Sequence, residues 1–351
     1  MKYKRKKSKL AYVLLALCVT AGIVAAYVLF IRPVNLGTAA GYVYIDNDDN
    51  ADSVRLKLEA AGHGYAMTGY GALATLCGYD SHVKTGRYAI NPGESVFTVF
   101  RKLKNGLQSP VSLTIPSVRT LDRLSAELAK RLMVDSAQIM KALTDESVCQ
   151  RLGYDTATIA AMFIPNTYDI YWNTSVDALL ERMKKENTRF WDSSGRIAKA
   201  KAMHLSPVEV YTLASIIDEE TANNGEKPMV AGMYYNRLTL RNGEYPQGMP
   251  LQADPTIKFA WKKFELRRIY HSLLDIDSPY NTYRYPGLPP GPIRIASVAG
   301  IDAVLNHVKH DYIYMCAKED FSGTHNFARN YGEHLANARK YAEALNRRGI
   351  R

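Results

Sequence analysis

The chain has 351 residues, 47% of them hydrophobic, and its 45 Lys and Arg against 34 Asp and Glu give a formal charge of +11. That length and apolar content exclude a disordered chain, and four cysteines without CxxC spacing exclude a disulfide framework or a zinc ribbon. Seven of the positive charges and no acid lie in residues 1–32, so the remainder carries about +4, and the basic balance gives no argument for nucleic acid.

Residues 1–9 form a basic tail with Lys2, Lys4, Arg5, Lys6, Lys7 and Lys9. Leu10 to Ile31 is an uncharged apolar run closed by Arg32-Pro33. At about 1.5 Å per residue it is long enough to cross a hydrocarbon core of about 30 Å. The positive-inside rule then leaves the tail in the cytoplasm and the rest of the chain outside. A cleaved signal peptide competes, with small residues at Ala21-Gly22 and Ala25-Ala26, but the run exceeds a usual signal core and favours an anchor. Cys18 falls in the span. Cys77, Cys149 and Cys316 lie beyond it, as one disulfide plus a thiol or as three free thiols. The roughly 320 residues past the span suffice for two domains.

The first of these runs from 41 to 107. Gly41 to Ile45 alternates like a strand, Asp46 to Asp52 is a polar turn, and Ser53 to Ala61 reads as a helix. Lys84 to Ile90 is a second strand, Asn91-Pro92-Gly93 a turn, and Ser95 to Asn105 an amphipathic helix. This small α/β module carries no obvious catalytic set. A larger mixed α+β unit follows over 111–351. It opens with a strand at Val111–Ile115 and helices at Leu121–Leu132, Ala137–Ala142 and Val176–Trp191.

The next helix carries the chemistry. Ser206 can cap it, Pro207 suits its first position, and Glu209 completes a capping box. Val210, Leu213, Ile216, Ile217 and Glu220 then follow helical spacing and share one face, whereas Asp218 and Glu219 rotate away. Asn223-Asn224-Gly225 stops the helix. A carboxylate in line with an apolar stripe resists ionising, and the helix dipole and neighbouring acids push the same way. A glutamic acid kept protonated near neutral pH can donate a proton to a glycosidic oxygen. The plainer reading is an exposed acidic helix end. After a helix through Val230 to Leu240, three segments are rich in Pro, Tyr, Asn and Gln: Gly248 to Thr256, Ser278 to Tyr283, and Gly287 to Ile293. Gly323 to Phe327 follows. Such loops either build a groove for sugar hydroxyls and C–H faces or pack a long connection.

Taken in order, Leu213 to Thr221, Tyr235-Asn236-Arg237-Leu238, Gly248 to Thr256, Tyr280 to Tyr283, Leu288 to Ile293 and Gly323 to Phe327 resemble the membrane-anchored endolytic murein transglycosylases, the MltG or YceG-like family. Phe163 to Tyr168 matches a further family loop. The resemblance is weak over 41–85 and strong from about 160 onward. Asp218 stands where the family commonly has Glu, and extra residues occupy Arg241 to Gln247. The resemblance implies a LysM-like module at 41–107 and a catalytic domain at 111–351, in a single-pass protein of the bacterial inner membrane facing the periplasm. It implies Glu220 as the catalytic acid and base of a lytic reaction on peptidoglycan. That reaction cuts between N-acetylmuramic acid and N-acetylglucosamine and leaves 1,6-anhydro ends. Gln252, Asp254, Asn281, Tyr283 and, less strongly, His325 are the candidates for holding the sugar. No cofactor or metal is expected, because HExxH and Gly-rich phosphate loops are absent. The partners expected are glycan strands, the membrane and membrane-bound wall synthases, and no nucleic acid. A hydrolytic muramidase using Asp254 as second carboxylate, and a non-catalytic wall tether, are the competing readings.

Overall fold

The computed structural model describes residues 2–35, 37–60, 67–266 and 268–349, and Ala61, the expected end of the first module's helix, lies outside them. Helix α1, Lys2–Ala26, continues as a π-helical turn over Tyr27–Ile31. Within it, Lys9–Ala26 has a mean hydropathy of 2.1, long and apolar enough to cross a membrane.

The chain divides into two compact units, and both α and β elements contribute to each. The first unit is residues 1–113 with 131–134 and 168–174. Strand β1, Gly41–Ile45, leads through α2, Ala51–Ala60, and α3, Met67–Leu76, to β2, Gly86–Ile90, and α4, Val96–Asn105. β1 and β2 pair antiparallel, with Gly41 opposite Ile90 and Val43 opposite Tyr88. Val43, Ile45, Val54, Leu58, Phe100 and Leu103 close the core beneath them. Helix α3 had no signal in the sequence reading: Met67–Leu76 is built from Gly, Ala and Thr with apolar residues on every side, so no period of 3.6 stands out. All four cysteines are free, and Cys149 is buried as a small apolar group.

Strand β3, Val111–Thr114, pairs with β4, Thr167–Ile170; between them lie α5, Leu121–Ala129, α6, Ser136–Thr144, and α7, Glu146–Leu152. Then come α8, Val176–Asp192, α9, Arg196–Ala202, α10, Pro207–Glu220, and α11, Lys227–Thr239. After these follow α12, Asp254–Trp261, and α13, Val298–Leu305; the hairpin β5, Tyr314–Ala317, with β6, His325–Ala328; and finally α14, Tyr331–Arg347. The second unit holds α8 to α14 and centres on α10, which packs against α11 and α13.

Helix α10 begins on the capping box that its sequence announces: Ser206 Oγ accepts from Glu209 N, and Glu209 Oε2 accepts from Ser206 N at 2.7 Å. Beyond that its environment departs from the amphipathic expectation. Every residue from Val210 to Ile217 is buried, on all faces. Tyr211 Oη donates to Phe163 O at 2.6 Å and accepts from Ala296 N, and Ser215 Oγ accepts from Ile293 N, so the polar positions are tied to surrounding loops. Full burial of Leu213, Ile216 and Ile217 contributes about 1.5–3 kcal/mol each.

Candidate active site

A helix buried all round gives the carboxylates of its last turn no solvated side to turn towards. Each must find a cation or surrender its charge. Asp218 and Glu219 take the first course, which corrects the expectation that they rotate away from the buried surface. Asp218 meets Lys227 Nζ at 2.7 Å, with 3% and 7% of the two side chains exposed, and accepts from Ser297 N and Oγ. Glu219 sits between Arg119 and Arg294, each at 2.8 Å.

Glu220 takes the second course. No cation stands within ion-pair distance of it among the described residues. Its Oε1 accepts from Tyr234 Oη at 2.6 Å. Burial pushes its carboxyl up to about 7; the Tyr234 hydrogen bond opposes this, nearby Asp254 adds to it, and the fields of Arg237 and Lys258 oppose it. The acids expected to help, Asp218 and Glu219, are neutralised by their own partners.

Glu220 opens on a cavity of about 240 Å³. Helix α11 supplies Tyr234 and Arg237, the loop before α12 supplies Gln252, the first residue of α12 is Asp254, and the hairpin supplies His325. Asp254 lies in the first turn of α12, where the helix N-terminus favours its negative charge. Its Oδ1 accepts from Tyr283 Oη at 2.5 Å. Burial and then Asp254 hold the Tyr283 phenol far above its usual range, so it remains a donor. Gln252 reaches the cavity from a left-handed backbone, φ +50°, pinned by its N–H to Thr282 O at 3.0 Å. Arg237 is a strut: its Nε donates to Ile313 O at 2.6 Å and its Nη1 to Leu251 O at 2.5 Å.

Thus one wall presents a proton donor at neutral pH, and the others present hydroxyl, amide, carboxylate and imidazole groups. The YceG-like family model matches residues 43–340. The chain belongs to the YceG-like family. An endolytic murein transglycosylase of Bacillus subtilis strain 168 is 29% identical over 282 residues, covering 76% of this chain and 75% of that protein. One from Streptococcus pneumoniae serotype 2, strain D39, is 26% identical over 335 residues, covering 86% of this chain and 58% of that longer protein. The crystal structure of a yceG-like protein from Listeria monocytogenes superposes with a TM-score of 0.53 at 23% identity, over 86% of this chain and 99% of that one, a likeness of fold.

Of the residues singled out in this YceG-like sequence, Glu220, Gln252, Asp254, Tyr283 and His325 line the one cavity. Asn281 does not. It is fully buried; its amide donates to Leu274 O at 2.7 Å and Ile276 O at 2.9 Å, while its Oδ1 accepts from Tyr283 N. Both ends of its side chain are spent on the loop that carries Tyr283, leaving nothing for a sugar.

Three residues the sequence reading missed complete the site. Tyr234 and Arg237 are three apart on α11, the spacing of one helical face, and Arg237 already lay in a motif. Glu226 gave no local signal. It is 8% exposed and joins distant segments: its Oε2 accepts from Thr221 Oγ1 at 3.0 Å and meets His325 Nδ1 at 3.1 Å, and its Oε1 accepts from His325 N at 2.6 Å. The imidazole is thereby held from its Nδ1 side, and its Nε2 has no hydrogen-bond partner among the described residues.

Proposed function

We propose that this protein is a peptidoglycan lytic transglycosylase, an enzyme that cuts glycan strands internally, with Glu220 as its single acid and base. The observation that carries the reading is the state of Glu220: half-buried among cavity walls, held by a neutral phenol, without an ion-pair partner among the described residues, and with its carboxyl pushed by burial up to about 7. Membership of the YceG-like family and the names of its relatives support the substrate class.

Protonated Glu220 donates to the glycosidic oxygen between N-acetylmuramic acid and N-acetylglucosamine, and the C1–O bond breaks. The carboxylate so formed takes the proton of the muramic C6 hydroxyl, whose oxygen bonds to C1. The products are a free hydroxyl on the leaving sugar and a 1,6-anhydro end; no water is consumed, and the enzyme regains its proton. Acid–base help contributes about 10²–10⁴-fold. Holding the C6 hydroxyl against C1 supplies an intramolecular advantage. Gln252, Asp254, Tyr283 and His325 are the groups that would hold it, with Asn281 fixing the Tyr283 loop.

A second reading has one observation in its favour: Asp254 faces the same cavity as Glu220, as a hydrolytic muramidase would require. Its carboxylate is engaged by Tyr283, which suits positioning better than water activation.

We read 1–9 as a cytoplasmic tail, 10–31 as a single membrane span, 41–107 as a LysM-like, glycan-binding module and 111–351 as the catalytic domain. The β1-α2-α3-β2 order with antiparallel strands supports the module, and the apolar α1 supports the anchor. An anchored enzyme reaches glycan near the membrane, which suits nascent strands and a partnership with membrane-bound synthases. The test is incubation of full-length wild type and Glu220→Gln, in detergent, with peptidoglycan strands, followed by mass spectrometry of the ends. Anhydro ends from wild type alone are expected. Reducing ends would replace this reading with the hydrolase, and uncut strands bound equally by both folded proteins would replace it with a tether.

A further inference from the structure

Helix α12 serves two cavities. Glu220 and Asp254 line the first. Phe259, five residues along α12 from Asp254, lines a second cavity of about 390 Å³, together with Arg119, Lys262, Tyr280 and Arg294. Arg119 and Arg294 are the two cations that hold Glu219, the residue before Glu220, so α12 and this ion-pair cluster link the second cavity to the first.

Its chemistry is divided. The floor is the Phe259–Tyr280 pair, ring centroids 4.7 Å apart, extended by Leu121, Pro292 and Ile295. The positive charge is in excess. Arg119 and Arg294 share the single carboxylate of Glu219, and Arg294 Nε is buried without a hydrogen-bond partner among the described residues. Lys262 Nζ lies 3.7 Å from the centroid of the Phe259 ring and makes no ion pair among the described residues. Asp122 is the one acid among the described lining residues, and its field reaches Lys262 without an ion pair; with Glu219 held by the two arginines, three cations face two carboxylates. Lys262 follows α12 with φ +55°, a left-handed position that usually falls to glycine, and here it presents an ammonium instead.

An apolar floor for small side chains beside an unmatched cation and an unsatisfied guanidinium N–H suits a short peptide that carries a free carboxylate. We propose that this cavity is a peptide subsite, taking the carboxylate-bearing stem peptide of the glycan strand whose scissile bond lies at Glu220. The inference rests on the lytic reading of the Glu220 cavity. The peptide's alanyl methyl groups would lie on Phe259 and Tyr280, and its carboxylate would meet Lys262 and Arg294. Charge-assisted pairing in a partly desolvated site makes the peptide a contributor to affinity, felt in KM.

The experiment compares two substrates: strands with intact stem peptides, and the same strands stripped of peptide by an amidase. Full-length wild type, Lys262→Met and Lys262→Arg are assayed on both. Lys262→Met keeps the apolar stem on Phe259 and removes only the charge. Its kcat/KM on peptide-bearing strands should fall about tenfold, mainly through KM, with no change on stripped strands and substantial recovery in Lys262→Arg. Equal losses on both substrates, or no loss on either, would overturn the subsite. In parallel, free stem peptide is titrated into the Glu220→Gln protein, with and without Lys262→Met. Peptide binding that depends on Lys262, in a wild type that cuts neither strand, would keep the subsite and sink the lytic reading. Cleavage of both strands indifferent to Lys262 would do the reverse.

Discussion

Three consecutive carboxyl side chains end α10 in two different surroundings. Asp218 and Glu219 lie among cations: Lys227 on one side, Arg119 and Arg294 on the other. Glu220, one residue further, meets a phenol and the negative field of Asp254. The same residue type at the same depth is therefore a structural anion in one place and a proton reservoir in the other. What separates them is the partner each receives: Arg119 and Arg294 neutralise Glu219 as Lys227, at the start of α11, neutralises Asp218, whereas Tyr234, seven residues after Lys227 on the same face, offers Glu220 a neutral phenol and no cation.

The largest effect should come from Glu220→Gln, which keeps the Tyr234 hydrogen bond and removes the transferable proton. Cleavage should drop by about 10³-fold or more. Glu219→Gln should retain cleavage of stripped strands within a few-fold. If both lost cleavage equally while staying folded, the two surroundings would not differ in the way argued. The next effect falls on stability. Lys227→Met strands the Asp218 carboxylate in a buried site, and breaking such a pair costs about 3–5 kcal/mol. Thermal or denaturant unfolding should register it, and adding Asp218→Leu should recover much of the loss.

Glu220 contributes to stability with the opposite sign. Its folded pKa, about 7, lies above its ordinary 4.5, so between those values the folded state binds the extra proton. Its contribution to stability is greatest at or below about pH 4.5 and declines as pH rises to about 7. Glu220→Gln removes that decline. The variant should match wild type near pH 4.5 and exceed it at pH 8 by up to about 3 kcal/mol. A variant less stable than wild type at pH 8 would show that the carboxylate is solvated after all. The same titration should govern activity, with kcat/KM falling as pH rises past about 7. Tyr234→Phe removes a bond that favours the charged form and should move that alkaline limb upward. Asp254→Asn removes a repulsion and should move it downward, each by about half to one unit.

Much of the site was legible because local rules and the site coincide along α10. The Ser206–Glu209 box, the apolar run and the carboxylate after it are all contained in fifteen residues. The other four lining residues, Gln252, Asp254, Tyr283 and His325, were reachable for a different reason: each sits in a segment that reads as turn-rich with an unusual polar inventory. Asn281 shows where that inventory misleads. A loop dense in polar groups needs some of them to satisfy its own backbone, and composition does not say which ones. Burial on all faces of α10 was not legible either, because an apolar stripe predicts one packed face, and Tyr211, Thr212 and Ser215 disguise the others. Glu226 was invisible for a different reason. Its partners Thr221 and His325 are 5 and 99 residues away, and only the fold brings the distant one to it. Helix α12 hid inside a segment read as turns because Pro255, a breaker in the middle of a helix, is favourable in its first turn.

The smallest effect separates the two cations of Glu219. Arg119 is 48% exposed on its side chain and Arg294 18%, although both stand at the same distance from the carboxylate. Solvent screens the first pair, so Arg119→Met should cost no more than about 1 kcal/mol. Arg294 also donates through Nη2 to Ser117 O and Oγ, at 3.0 Å each, and its loss leaves those acceptors and Glu219 to rearrange. Arg294→Met should therefore cost distinctly more than Arg119→Met in the same unfolding measurement. Neither substitution should move the alkaline limb of cleavage, because the charge it uncovers belongs to Glu219 while Arg237 and Lys258 still face Glu220. A shift of that limb in Arg119→Met would mean that Glu219 and Glu220 titrate together, and the division of the three carboxylates would have to be redrawn with the boundary after Asp218.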